Sequence, residues 1–253
     1  MITRLSENVL YQHAVNIFSS LTQSKNSWFH QIRDLCLLYQ LPHPLKLLQR
    51  PLSKESFKNM VKKHVISYWE QTLRAEASPL ISLNHFKPQF MSLKNAHPLW
   101  TTAGCSPVKV AMATVQAQML SGRYRTDYLC RHWSKNKSGC CLLSRICSSV
   151  FGDLHHILVS CPALHETREK LMSFTYNLIP TIPHLSGLVL SFCSTEHPQF
   201  MQFLLDPSTI PEIIESTQKY GPDTLYHLFH ITRTWVYTLH RERMKRLGRW
   251  NIL

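Results

Sequence analysis

Five of the eight cysteines, Cys130, Cys140, Cys141, Cys147 and Cys161, crowd into one short stretch that also holds His155 and His156. Thiolate and imidazole ligands this close along a chain point to a metal-gathered loop, and a loop of that kind interrupts any regular helix or sheet around it. The informative piece is His156-x4-Cys161. Asp153 can cap a short helix beginning at Leu154, and Pro162 turns the chain away from helix just after Cys161. One imidazole and one thiolate are thereby presented across a single turn. Upstream, Cys141-x5-Cys147 offers two more thiolates, and Cys141, Cys147, His156 and Cys161 together complete a tetrahedral zinc shell with bonds of about 2.0–2.3 Å. The spacing leaves alternatives open. Ser144 stands where a Cys-x2-Cys loop would place its second thiolate, Cys140 can replace Cys141, and ordinary buried cysteines are the plain alternative to metal. No glutamate is spaced as the general base of a catalytic zinc site, so one structural zinc ion is the expected cofactor.

The rest of the chain is built to bury a core. At 253 residues, 44% hydrophobic and 10% aromatic, it has the composition of a folded protein. Its charge of +13 favours a polyanionic partner, nucleic acid first among them. Residues 1–21 mix Arg4, Glu7, Asn8 and Gln12 into their apolar positions, which is not a secretory signal, and no run reaches bilayer length. An intracellular protein, nuclear or cytoplasmic, with reduced cysteines is expected, with neither a membrane nor a small-molecule substrate as partner.

Apolar residues recur mostly at helical period. Ser6 opens a first helix with Val9, Leu10, His13, Ile17 and Leu21 on one stripe, and a second runs from about Ser27 to the Leu41-Pro42 boundary. Ser53 begins a longer helix to about Ala77, with Phe57, Met60, Val61, Val65, Tyr68, Trp69 and Leu73 as its apolar face and Lys54, Lys58 and Lys62 on a solvated one. Ser106-Pro107 starts a helix with Val108, Met112, Val115 and Met119 as its buried stripe, ended by Gly122. Further helices are predicted over about 164–179, 198–205, 210–220 and 222–247. The expected fold is mainly α, helical segments flanking a small zinc-knuckle-like loop, with no large sheet. Three parts are expected: a basic helical region over 1–104, a helix plus the Cys/His motif over 105–165, and a helical region with a basic end over 166–253.

The run from Met119 to Asp127, the Cys130-Arg-His-Trp133 that follows, the cysteine cluster, and Gly152 to Leu164 with Arg168 beyond it resemble the segment after the polymerase domain in LINE-type non-LTR retrotransposon polyproteins. There a zinc-knuckle-like motif ends in His-x4-Cys-Pro. Phe86 to Leu93 with His97 to Trp100 is similar to the region before that motif. Leu228 to Trp250 is similar to the end of such proteins, so the resemblance covers nearly the whole chain in short motifs. It implies Cys141, Cys147, His156 and Cys161 as ligands and an upstream polymerase as a possible partner. The five aspartates are scattered, so the paired metal-holding acids of a polymerase palm or an endonuclease are missing and no catalytic residue is expected.

Around the motif, Arg123, Arg125, Arg131, Lys135, Lys137 and Arg145 can neutralise phosphates, and Trp133 can stack an unpaired base. Tyr124 reads better as a core anchor. A second basic patch holds Arg241, Arg243 and Arg246, where a helix C-terminus alone also favours cations. The expectation is a segment that binds RNA or DNA and positions it. The alternative is a decayed or domesticated fragment serving as a protein-interaction module.

Overall fold

The computed structural model describes residues 12–13, 16–17, 28–80, 83–131, 138–143, 145–147 and 150–248. The helix expected from Ser6 lies largely outside them, and so do Trp133, Lys135, Lys137 and Ser144. The described residues are helical and form no strand; an isolated antiparallel bridge joins Cys140 to Phe151. The chain groups into two compact units, 1–76 and 77–253. Both boundaries expected from the sequence, near 104 and 165, fall inside the second unit, where one core crosses the latter.

In the first unit, α1 (Trp28–Leu38) ends as expected before Leu41-Pro42. Gln40 adopts a φ of 54°, and the Leu41 amide closes the end on the Cys36 carbonyl at 2.8 Å. A short helix α2 (Pro44–Gln49) follows, unmarked by any periodicity; Pro44 pre-sets its first turn and His43 Nδ1 accepts from the Leu45 amide. Helix α3 (Lys54–Ala77) starts behind Ser53, whose hydroxyl accepts from the Ser56 amide at 3.2 Å. Its apolar face is only half covered: Met60, Val61, Val65, Tyr68 and Leu73 are half-buried, none is fully buried, and Phe57 and Trp69 stand exposed. Tyr68 nevertheless meets Tyr39 edge to face at 5.1 Å, and His64 Nδ1 reaches the Tyr39 carbonyl at 3.1 Å.

The second unit is arranged around its last helix. After a one-turn α4 (Pro98–Thr101) come α5 (Pro107–Leu120), α6 (Asp127–Cys130), α7 (His165–Leu178), α8 (Ser186–Phe192), α9 (Phe200–Leu205), α10 (Pro211–Tyr220) and α11 (Asp223–Arg246). Helix α11 packs against α5, α7, α9 and α10, so its apolar positions converge from several sides. Leu228, Phe229, Ile231, Trp235, Val236 and Leu239 are all buried. Trp235 meets Phe200 edge to face at 5.7 Å, and its indole N–H donates to Thr175 Oγ1 at 2.8 Å, which satisfies the one polar atom of the ring.

Of the stripe expected on α5, Val115 and Met119 are buried and Met112 is half-buried, but its first member is not. Val108 is exposed; Ala113, Val115, Gln116, Met119 and Leu120 face inward. Gln116 enters this interior because its amide nitrogen finds the Leu204 carbonyl at 2.7 Å and Thr232 Oγ1 at 3.2 Å, joining α5, α9 and α11 through one side chain. Gly122 ends the helix run with a φ of 66°, the left-handed conformation that glycine adopts at no steric cost. No helix among the described residues is long and apolar enough to cross a membrane.

Candidate metal centre

Three segments deliver the Cys/His cluster. The Cys141 amide donates to the Val150 carbonyl at 2.9 Å and the Val150 amide to the Cys147 carbonyl at 3.0 Å, which closes the 141–150 loop on itself. Asp153 Oδ1 accepts from the His156 amide at 2.7 Å, as the capping pattern required. The turn that follows, His156–Ser160, is a π turn rather than the α turn expected. It ends with the Cys161 amide on the His156 carbonyl at 2.7 Å, and Pro162 then starts a new turn. The wider π turn sets imidazole and thiol at its two ends, a local irregularity often found where a side chain is aimed at a function.

The four ligand atoms of Cys141, Cys147, His156 and Cys161 all lie within 4.8 Å of one another, and all four residues are buried. Cys141 and Cys161 stand with their sulfurs 3.9 Å apart, too far for the roughly 2.05 Å of a disulfide. Thiolates on a tetrahedral ion at about 2.3 Å would stand about 3.8 Å from each other, so the spacing suits a shared cation. The imidazole supports the same fit. His156 Nδ1 is near Ser160 Oγ at 3.4 Å, while Nε2 is buried with no hydrogen-bond partner. An orphaned buried nitrogen beside three sulfurs is the lone pair a metal would use, and a hydrogen bond at the other nitrogen fixes the ring. The cluster can therefore hold one metal ion with no fifth protein ligand required. Cys140, the alternative to Cys141, is outside it and half-exposed.

Burial sets the resting protonation of these groups. It pushes the Cys141 thiol up to about 12 and raises Cys161, while it lowers His156. Without a cation the Cys141 and Cys161 sulfurs are thus neutral thiols, and a bound cation would displace their protons.

The loop is tied back to the helical body through Asp127. Its Oδ1 accepts from Arg243 Nη2 of α11 at 2.9 Å, and its Oδ2 lies 3.4 Å from the Leu142 amide of the metal loop. A Cβ at Gly152 would stand 2.8 Å from Asp127 Oδ2, so glycine is needed for the backbone to pass this close to the carboxylate. Tyr124, buried as expected, places its hydroxyl between His240 Nδ1 at 3.0 Å and Arg243 Nη1 at 3.5 Å.

This network removes one residue from the expected basic surface. Arg243 is 2% exposed and is committed to Asp127, so it cannot meet a phosphate without breaking a buried pair. Arg123, Arg125 and Arg145 are exposed beside the loop, and Arg241 and Arg246 are exposed on α11, Arg246 in an i,i+4 pair with Glu242 at 2.7 Å. Arg131 is half-buried and lies 4.0 Å above the Tyr128 ring. Trp133, Lys135 and Lys137 fall outside the described residues. Sequence reasoning missed the apolar side of the loop: Leu142, Val150 and Phe151 are exposed and Ile146 is 81% exposed, with Phe151 edge to face on Tyr128 at 5.4 Å. Their signal was present as hydrophobic residues between candidate ligands, but periodicity gives no direction in an irregular loop.

Fold and site together define a helical protein with a buried Cys3His cluster able to hold a metal ion. Comparison with protein-family models, with curated proteins and with solved structures finds no match for this chain.

Proposed function

We propose that the chain is a zinc-stabilised nucleic-acid-binding segment of the LINE-type post-polymerase class, with the ion held by Cys141, Cys147, His156 and Cys161. The observation that carries this reading is the closed, buried Cys3His cluster with its orphaned imidazole nitrogen, set in a loop flanked by the exposed Arg123, Arg125 and Arg145. Three sulfurs and one nitrogen favour zinc over harder cations, and a closed four-ligand shell serves structure rather than catalysis. Zinc in this site would fix the loop and lower the ordering cost of presenting its cations to phosphate. The charge of +13 supplies the long-range attraction to RNA or DNA. Binding of the zinc-loaded protein to single-stranded RNA should weaken with salt on a log–log plot, with a slope of about −0.7 per phosphate contacted. A slope near zero, or no binding at low salt, removes the nucleic-acid part of the proposal.

The exposed Leu142, Ile146, Val150 and Phe151 favour a second reading, in which the same loop is a protein-interaction module. Partner capture that survives nuclease and high salt, and is lost on Ile146→Ser, would place this reading first.

A further inference from the structure

We propose that Arg168 is the built-in counter-charge of the loaded metal cage, an inference that rests on the metal-site reading above. A divalent ion held by three thiolates and a neutral imidazole carries one net negative charge, which burial makes costly unless a cation stands beside it.

Three buried arginines in the second unit show why Arg168 is the one. Arg233 donates to the carbonyls of Phe229 at 3.0 Å, Leu99 at 3.3 Å and Thr102 at 3.1 Å, so its fork is spread over three acceptors. Arg243 has a carboxylate partner in Asp127. Arg168 is 7% exposed, and its Nη2 donates to the Cys161 carbonyl at 2.6 Å. Its Nη1 is buried without a hydrogen-bond partner, and no carboxylate pairs with it among the described residues. A buried cation with one carbonyl and no acid is an unbalanced arrangement.

The group that would balance it belongs to the same residue it already grips. Cys161 is fully buried, and its sulfur is one of the three in the cluster. With the ion in place, the cage offers the single negative charge that matches Arg168. A cavity of about 340 Å³ beside Arg168 gives no better counter-ion, because Glu169 also lines it and would oppose an incoming anion. The guanidinium is thus a positioning and charge-balancing residue, not a ligand.

The test is the rate at which a chelator strips zinc from the loaded full-length protein, which requires no folded metal-free state. Arg168→Gln should release zinc about 10–100-fold faster than the original protein, the usual effect of losing a group that supports a ligand, and Arg168→Lys should recover most of that loss. The same pair is then compared in a Cys147→His background, where two thiolates and two imidazoles make the loaded cage neutral. There Arg168→Gln should change the rate by less than about threefold, because the charge to be balanced has gone. Equal losses in both cages, or a lysine variant no better than glutamine, would overturn the proposal and leave Arg168 as a carbonyl cap only. No effect in either cage also overturns it. If the original protein takes up no stoichiometric zinc, and cobalt gives no thiolate charge-transfer band, the metal reading itself falls and takes this one with it.

Discussion

The two ends of the second unit hold together by different means. At the helical end, α5, α9 and α11 satisfy their own backbone groups and bury Phe203, Leu204, Ile231 and Trp235 at 0–1% exposure. At the metal end, the described residues of 139–151 have an isolated bridge, a few turn hydrogen bonds and the buried sulfurs of Cys141 and Cys147, and Leu142, Ile146, Val150 and Phe151 stand exposed, before Ile157 and Leu158 return the chain to the helical core. A regular helix needs only an apolar face to be stable, whereas an irregular loop of this size cannot bury enough surface and needs a cross-link. Asp127 and Arg243 are the hinge between the two solutions, since their pair reaches from α11 to the loop.

The largest effect should come from attacking the helical end. Trp235→Ala removes the ring between Phe200 and Thr175 and is expected to cost about 4–5 kcal/mol, read as a lower urea midpoint for the second unit. A loss under about 1 kcal/mol would mean that the core does not centre on α11. Metal removal should strike the other end. With free zinc a hundredfold above its Kd, chelation is expected to remove about 3 kcal/mol of apparent stability. The distinguishing observation is its distribution: amide protection should vanish over 139–151 while the amides of α11 keep theirs. Uniform loss across both ends would erase the contrast drawn here.

A third measurement sharpens the hinge. Burial, with Arg243 beside it, lowers the His240 imidazole from 6.5 to about 4. A histidine depressed in the folded state binds its proton first in the unfolded chain. Its contribution is therefore neutral above about pH 6.5 and destabilises progressively as pH falls toward about 4, by about 1.4 kcal/mol per pH unit within that window. The groups facing it are Tyr124, which shares a hydrogen bond at 3.0 Å, Tyr237 and Arg243; none supplies a negative charge to stabilise imidazolium. His240→Gln should flatten the stability profile between pH 6.5 and 4, read as the difference between variant and original zinc-free proteins, in which the lowered His156 contributes equally to both. An unchanged profile would show that His240 is not buried neutral.

Much of this contrast was legible in the residues. The mainly helical fold followed from period and from proline punctuation, and α11 was readable almost to its ends because Leu228, Trp235 and Leu239 fall on one face. The four cluster residues were readable from His-x4-Cys and from the second cysteine pair, but spacing alone left Cys140 and Cys141 open; the loop closure through Val150 decides which sulfur turns inward. Val108 misled because a first-turn residue can lie beyond the packed surface, and Gln116 was overlooked because its burial depends on carbonyls contributed by α9. The exposure of Phe57 and Trp69 on α3 and of the apolar residues of the Cys/His loop could not be read, since hydrophobic residues do not announce whether anything covers them. Arg243 was misassigned for a related reason: its partner Asp127 lies 116 residues away.

Arg246 supplies the smallest effect and the sharpest check on that last point. It sits three residues after Arg243 on the same helix and makes its own acid pair, to Glu242 at 2.7 Å, yet it is exposed. An exposed i,i+4 pair gains little, because water already solvates both charges and two long side chains must be held still. Arg246→Ala should therefore change stability by no more than about 0.5 kcal/mol, while Arg243→Ala, which strands Asp127 in the interior, should cost about 3–5 kcal/mol. Binding should invert the order. If this end of α11 meets phosphate, Arg246→Ala should lower the salt slope for RNA by about 0.7 in a protein of unchanged melting behaviour. Two arginines with equal stability losses would place Arg243 at the surface after all and dissolve the distinction between a structural and a binding cation on α11.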